Sequence, residues 1–338
     1  MKHPVKNIDL EKRVFAAQAN NFNELAIDLF QFQYQNNAVY RKYCDTLKIV
    51  AGNVDALKKI PFLPISFFKS HHIASTTFEP ETIFESSGTT TTINSRHFVK
   101  DLSLYRKSFM SAFGKYYGNV ADKCILGLLP SYLERNNSSL VFMVDELIRQ
   151  SGNKLSGFYL YDLDRLHTTL LHNEIRKQPT ILIGVTYALL DFAEKYPMQL
   201  RHTVVMETGG MKGRKEEQTR QEVHRQLQDH FGISLVHSEY GMTELLSQAY
   251  SKGDGIFHCP AWMKAIIREE DDPFTMYTAK DVTQKPLTGV LNIIDLANIY
   301  SCSFIATDDI GRLHPNDSFE VLGRMDNSDI RGCSLMVI

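Results

Sequence analysis

The stretch TILIGVTYALLDFAEKYPMQLRHTVVMETGG, residues 180–210, holds two short apolar runs on either side of one helical pattern. Residues 180–185, Thr-Ile-Leu-Ile-Gly-Val, are mostly apolar and rich in β-branched side chains, the mark of a buried strand. Residues 187–196 space their apolar side chains at helical period. Residues 203–206 are apolar again and run into Thr208-Gly209-Gly210. The same alternation continues outward. Upstream, residues 125–130 predict a strand ending in a turn. Residues 140–149 predict a helix capped by Ser138 or Ser139, and residues 103–117 an amphipathic helix. Downstream, residues 214–230 predict a polar helix, and residues 233–236 a fourth strand leading into His237-Ser238-Glu239-Tyr240-Gly241. Strand and helix in turn predict an α/β fold, a mixed sheet with helices on its faces.

The flanks read differently. Residues 9–50 carry helical spacing, with Leu25, Leu29, Phe32, Val39 and Tyr43 on the apolar side. Two prolines, Pro61 and Pro64, make residues 60–65 an extended connector. Beyond about residue 255, short apolar runs at 265–268, 289–295 and 319–322 sit between turn residues and predict a strand-rich subdomain. With no repeat and no low-complexity linker, one unit is expected over 1–338. It divides into a helical region (1–80), an α/β core (81–254), a strand-rich subdomain (255–322) and a tail (323–338).

Composition removes several function classes. A net charge of -2 without a basic run argues against nucleic acid as a partner. No run approaches the roughly 18 apolar residues of a membrane span. The basic N-terminus lacks the continuous apolar core of a secretory signal. The five cysteines (Cys44, Cys124, Cys259, Cys302 and Cys333) are scattered, with no C-x-x-C. They predict a reducing, cytoplasmic setting and no structural zinc.

The chemistry is concentrated in short motifs. FESSGTTTT, residues 84–92, sets the hydroxyls of Ser86, Ser87, Thr89 and Thr90 around Gly88. Backbone N–H groups of a glycine turn and short hydroxyls together suit phosphate oxygens. The loop lacks the lysine of G-x-x-x-x-G-K-[ST], so it is no P-loop. Alone it is as readily a plain surface loop. It is followed in order by Thr208-Gly209-Gly210, Tyr240-Gly241-Met242-Thr243-Glu244, Thr307-Asp308-Asp309 and Gly323-Arg324-Met325-Asp326. Each is individually open to a structural reading: Asp308-Asp309 as a turn, Arg324 with Asp326 as a surface pair.

As an ordered set these motifs resemble the adenylate-forming superfamily of acyl-CoA synthetases, luciferases and peptide-synthetase adenylation domains. The resemblance implies the large N-terminal domain of those enzymes and the activation of a carboxylic acid by Mg-ATP. It implies that Ser86, Ser87, Gly88, Thr89 and Thr90 hold the β- and γ-phosphates. It places Thr243 at the α-phosphate and Glu244 on Mg²⁺, a hard ion that prefers carboxylate oxygen. It sets Asp309 and Arg324 at the ribose, and Gly209, Gly210, Tyr240 and Gly241 around the nucleotide.

Residues 60–69, 84–90, 237–244 and 331–334 narrow the resemblance to acyl-protein synthetases of the bacterial luminescence type, which are fatty acid–protein ligases. By that likeness Cys333, six positions from the end of the sequence, accepts the acyl group as a thioester. A thiolate is the nucleophile for such a bond, and Arg331 beside it favours the charged form. Without the resemblance, a lone cysteine is as readily a small core residue. A reductase or a carrier protein is the expected acyl-accepting partner. Two departures stand out. The loop continues Thr92-Ile93-Asn94-Ser95-Arg96, with Arg96 in place of a lysine. The mobile C-terminal domain with its catalytic lysine is expected to be mostly or wholly missing. Either another cation acts, with Lys212 and Arg214 as candidates that read more readily as a solvated helix start, or adenylation runs without one. The alternatives are an acyl- or aryl-CoA ligase using such a domain in trans, and a non-catalytic nucleotide-binding subunit.

Overall fold

The computed structural model describes residues 7–86, 93–130, 137–210 and 218–325, the side chains of 7–9 excepted. The chain opens with α1 (Asn7–Phe15), α2 (Phe22–Asn36) and α3 (Ala38–Thr46), then β1 (Leu63–Pro64) and the short α4 (Phe67–Ser70). A hairpin of β2 (Thr82–Glu85) and β3 (Arg96–Val99) carries the hydroxyl-rich loop between its strands. The core follows as α5 (Leu102–Tyr117), β4 (Cys124–Leu128), α6 (Ser139–Ser151), β5 (Gly157–Phe158), α7 (Leu163–Arg176), β6 (Thr180–Gly184), α8 (Thr186–Lys195), β7 (Thr203–Glu207), α9 (Arg220–Phe231) and β8 (His237–Tyr240). The rest is strand: β9 (Ala249–Ser251), β10 (Ile256–His258), β11 (Met263–Arg268), β12 (Met276–Tyr277), β13 (Leu287–Asp295), β14 (Phe304–Leu313) and β15 (Phe319–Arg324).

One 13-stranded sheet runs β12-β11-β13-β14-β15-β10-β9-β8-β7-β6-β4-β5, with β1 beside β14. From β5 to β8 it is parallel. From β8 to β12 every neighbour is antiparallel. The reason is in the connections. Parallel neighbours need a crossover, which α6, α7, α8 and α9 supply. After β8 the links are too short for that, so strands turn back on themselves. β4 and β6 are buried at every position, as parallel strands covered on both faces must be.

Two apolar clusters cover the two faces of the parallel half. One gathers Leu126, Leu128 and Leu182 under α7, α8 and α9. The other joins Ile125 and Ile183 to α5, α6 and the N-terminal helices. The chain signals its helix ends locally. Ser138 caps α6 by accepting from the Val141 N–H at 3.4 Å. Thr219 and Glu222 form a capping box at α9.

The fourth predicted strand is displaced. It is His237–Tyr240, not the apolar run before it. Polar residues fill β8 because its end faces the site described below rather than a dry core. No helix among the described residues is long and apolar enough to cross a membrane. The four described cysteines are free thiols.

Candidate active site

The carboxyl ends of β4, β6, β7 and β8 open on one side of the sheet, where open α/β sheets place their ligands. Three segments converge there. Glu85 leads into Ser86, Thr208 precedes the Gly-Gly turn, and Gly241 to Thr243 follow β8. All line one cavity of about 230 Å³. Val185 lines it too. Phe142, Leu147, Leu189 and Phe192 are core side chains.

The Gly-Gly turn is held from two sides. Gly209 and Gly210 take φ of 77° and 97°, a region where a side chain is strained. Their carbonyls accept from the N–H groups of Thr186 and Tyr187 at the start of α8. From below, the buried Glu207 carboxylate accepts the Gly209 N–H at 2.8 Å and the Thr186 hydroxyl at 3.1 Å. Burial alone would raise the Glu207 carboxyl. The His224 ring, Arg220 and the Gly209 N–H outweigh it and hold the group at about 2. Among the described residues nothing lies within 4 Å of where a Gly209 Cβ would be, and only Val185 approaches Gly210, so a flat ring can lie against the backbone at Gly209.

Tyr240 ends β8 and donates to Asp309 at 2.8 Å. Asp309 lies opposite Arg324 in the β14–β15 register, with 3.3 Å between Nε and the carboxylate. The Asp309 carboxylate is 8% exposed and the Arg324 side chain 66%. One carboxylate is thus fixed at the border of the two halves of the sheet, with a long, solvent-facing cation beside it. A carboxylate so placed accepts two neighbouring hydroxyls, as a ribose presents them.

The Thr243–Glu244 loop rests on a buried polar web. His97 sets Nδ1 2.8 Å from the Thr243 carbonyl oxygen and Nε2 3.1 Å from Asn298. Burial pushes that imidazole down to about 4. The Asn298 amide donates to the Glu244 carbonyl at 2.7 Å. Asp295 accepts from the Leu246 N–H and the Ser247 hydroxyl. The Trp262 indole donates to Ser108 and Ser247, both at 3.0 Å. Glu244 itself is buried, and burial raises its carboxyl despite Ser95, Arg324 and Lys69. It is a hard oxygen donor largely shielded from solvent. Among the described residues no three metal-ligating side chains cluster. A magnesium ion here fits only as Mg²⁺ usually binds, through one carboxylate with phosphate oxygens and water.

Ser86 ties the two strands of the hairpin together. Its hydroxyl accepts from the Ser95 N–H at 2.9 Å and its N–H donates to the Ser95 carbonyl at 3.1 Å. That pair closes the base of the loop. Ser87, Gly88, Thr89, Thr90, Lys212, Arg214 and Cys333 lie outside the described residues. Arg96 is exposed on β3, its guanidinium 5.6 Å from the Phe98 ring. Glu207, Glu239, Gln248, Asp295 and Asn298 were not singled out from the sequence. A buried-polar signal was present in Asp295-Leu296-Ala297-Asn298, two hydrogen-bonding side chains inside an apolar run.

A family model described as "Acyl-protein synthetase, LuxE" matches residues 12–338. The chain is 24% identical to the long-chain-fatty-acid–luciferin-component ligase of Aliivibrio fischeri over 346 residues, covering 95% of this chain and 89% of that one. Among solved structures it is similar to a 2-hydroxyisobutyryl-CoA ligase in the postadenylation state with 2-HIB-AMP. The TM-score is 0.61 and the identity 10%, over 94% of this chain and 70% of the ligase. ATP-bound MatB from Rhodopseudomonas palustris gives a TM-score of 0.53 at 15% identity, over 72% of this chain. The match spans 47% of MatB, less than half its length. At these identities the structural likenesses bear on the fold, which is that of the large domain of adenylate-forming enzymes.

Proposed function

The chain belongs to the acyl-protein synthetase family, and from that premise we propose that it activates a carboxylic acid with ATP and passes the acyl group to Cys333. The observation that carries this reading is convergence. Glu85 at the end of the loop strand, Thr208 just before the Gly-Gly turn and the Gly241–Thr243 segment line one cavity, and Tyr240, the residue before Gly241, donates to Asp309.

In the first step a carboxylate oxygen bonds to the α-phosphorus, and the bond to the β-phosphate oxygen breaks. Pyrophosphate leaves and an acyl adenylate remains. Little covalent chemistry falls to the protein, so positioning and charge stabilisation dominate. Asp309 and Arg324 hold the ribose, and the Gly209–Gly210 backbone lies against the base. Thr243 donates to the α-phosphate. Glu244 holds Mg²⁺, which when bound offsets charge on the phosphates. In the second step the Cys333 thiolate attacks the acyl carbonyl and AMP leaves, its phosphate being a good leaving group.

The name of the Aliivibrio relative supports a fatty acid as the acid. A reductase or carrier-protein thiol then takes the acyl group. Acid-dependent release of pyrophosphate from Mg-ATP tests the first step. Glu244→Gln is expected to keep the fold and lower that rate at least tenfold. Release at the wild-type rate would remove Glu244 from the metal site.

A further inference from the structure

The wall of the cavity farthest along β8 is not hydrocarbon. Glu239 and Gln248 are both buried and both line it. Each has been brought there by a specific local fit. A Cβ on Gly241 would sit 2.5 Å from the Glu239 Oε1 and 3.4 Å from the Gln248 Cγ. The bare backbone at 241 therefore leaves room for the Glu239 carboxyl in its present position.

Their hydrogen bonds leave a defined remainder. The Gln248 amide NH₂ donates to the Tyr105 hydroxyl at 3.4 Å. The Tyr105 proton goes on to the Ser139 carbonyl at 3.0 Å. The Gln248 Oε1 is then a buried acceptor with no partner among the described residues. The Glu239 carboxyl is shifted by burial and the Glu207 charge with no hydrogen-bond contribution, and Tyr250, opposite Glu239 across β8–β9, buries an unpartnered hydroxyl. The charged residues lining the cavity are Glu85 and Glu239, with no cationic side chain among the described lining. Buried acceptors are normally paired. An unpaired one on a residue that lines a cavity is a place where a ligand can supply a donor.

We propose that the acid this site accepts carries a hydrogen-bond donor on its acyl chain, a hydroxyl or an amine, which binds between Gln248 Oε1 and the Glu239 carboxyl. This rests on the adenylating reading of the same site and narrows its substrate class. An unsubstituted chain would leave the amide oxygen bare and the carboxyl against methylene groups. A hydroxyl donates to Gln248 and meets the carboxyl with its oxygen. An amine donates to both and holds Glu239 ionised.

The test uses the whole protein and a panel of carboxylic acids of matched length, unsubstituted, hydroxylated or aminated at successive carbons. Binding is read by calorimetry without nucleotide, and turnover by pyrophosphate release with Mg-ATP. The expected result is a preference of about 10–100-fold for one donor-bearing acid over its unsubstituted parent. Gln248→Met, apolar and similar in length, should cut that preference toward unity while the parent acid still binds. Glu239→Gln separates the two donors: a hydroxy acid is still preferred, whereas an amino acid loses its advantage. Equal or better binding of the unsubstituted parent by the wild type would overturn the inference. Donor-selective binding with no pyrophosphate from any acid would support it and sink the adenylating reading instead.

Discussion

Glu207 and Glu239 lie on adjacent parallel strands, are similarly buried, and are pulled in opposite directions. Glu207 has His224, Arg220 and a backbone N–H, and stays ionised. Glu239 has burial and the neighbouring Glu207 charge against it, and is pushed up to about 8. The consequence for stability has a definite sign. Between its ordinary value of 4.5 and about 8, the folded protein holds a proton that the unfolded chain releases. Stability therefore falls as pH rises through that window. Glu239→Gln removes this dependence, so the variant should gain on the wild type from pH 5 to pH 8, on the order of a few kcal/mol. Parallel denaturant titrations at the two pH values check it, and an unchanged difference would contradict the assignment. Arg324→Ala belongs to the same scale. Its side chain is largely exposed, so stability should move by no more than about 1 kcal/mol, while the KM for ATP rises roughly tenfold by loss of a charged hydrogen bond. Tyr240, Glu244 and Asp309 were legible in the sequence because they sit in short motifs of fixed order. Glu239 and Gln248 were not, since their role depends on how the bend after β8 meets Tyr105 of α5.

At the scale of elements, the helices and the apolar strands were readable from period alone. α5, β6, α8 and β7 follow the apolar spacing closely. Two strands were obscured by the site they serve. β8 carries His237, Ser238 and Glu239, so its pattern is polar where a strand was sought in the apolar residues before it. β14, ten residues long, is interrupted by Thr307, Asp308 and Asp309, and that interruption carries the site carboxylate. The buried web under the Thr243–Glu244 loop was likewise hidden, because it joins β3, α5 and the turn after β13 across long sequence separations. It makes a sharp expectation. Asn298→Ala breaks bonds to Glu244, Cys302 and His97 and leaves their groups buried without partners. It should cost about 2–4 kcal/mol and lower the rate of pyrophosphate release more than it raises the KM for ATP. A variant with wild-type stability and rate would show that the loop holds itself.

Across the whole molecule the site lies on a seam. The Gly-Gly turn belongs to the parallel half of the sheet and Asp309 to the antiparallel half, and Tyr240 is the side chain that spans them. ATP bound as proposed should slow hydrogen exchange together at residues 184–188 and 307–311. It should also raise the unfolding free energy by about 2.7 kcal/mol at a hundredfold excess over its Kd. Protection confined to one half would mean the nucleotide does not bridge the seam. In the proposed reaction an acyl group passes from ATP-activated acid to this chain's own thiol. The most direct measurement is the intact mass of the protein after Mg-ATP and acid, with and without hydroxylamine, for the wild type and Cys333→Ala. A hydroxylamine-labile gain equal to the acid less one water is expected, lost in the variant. Acid-dependent pyrophosphate release with no gain in mass, or a gain that persists in Cys333→Ala, would contradict it.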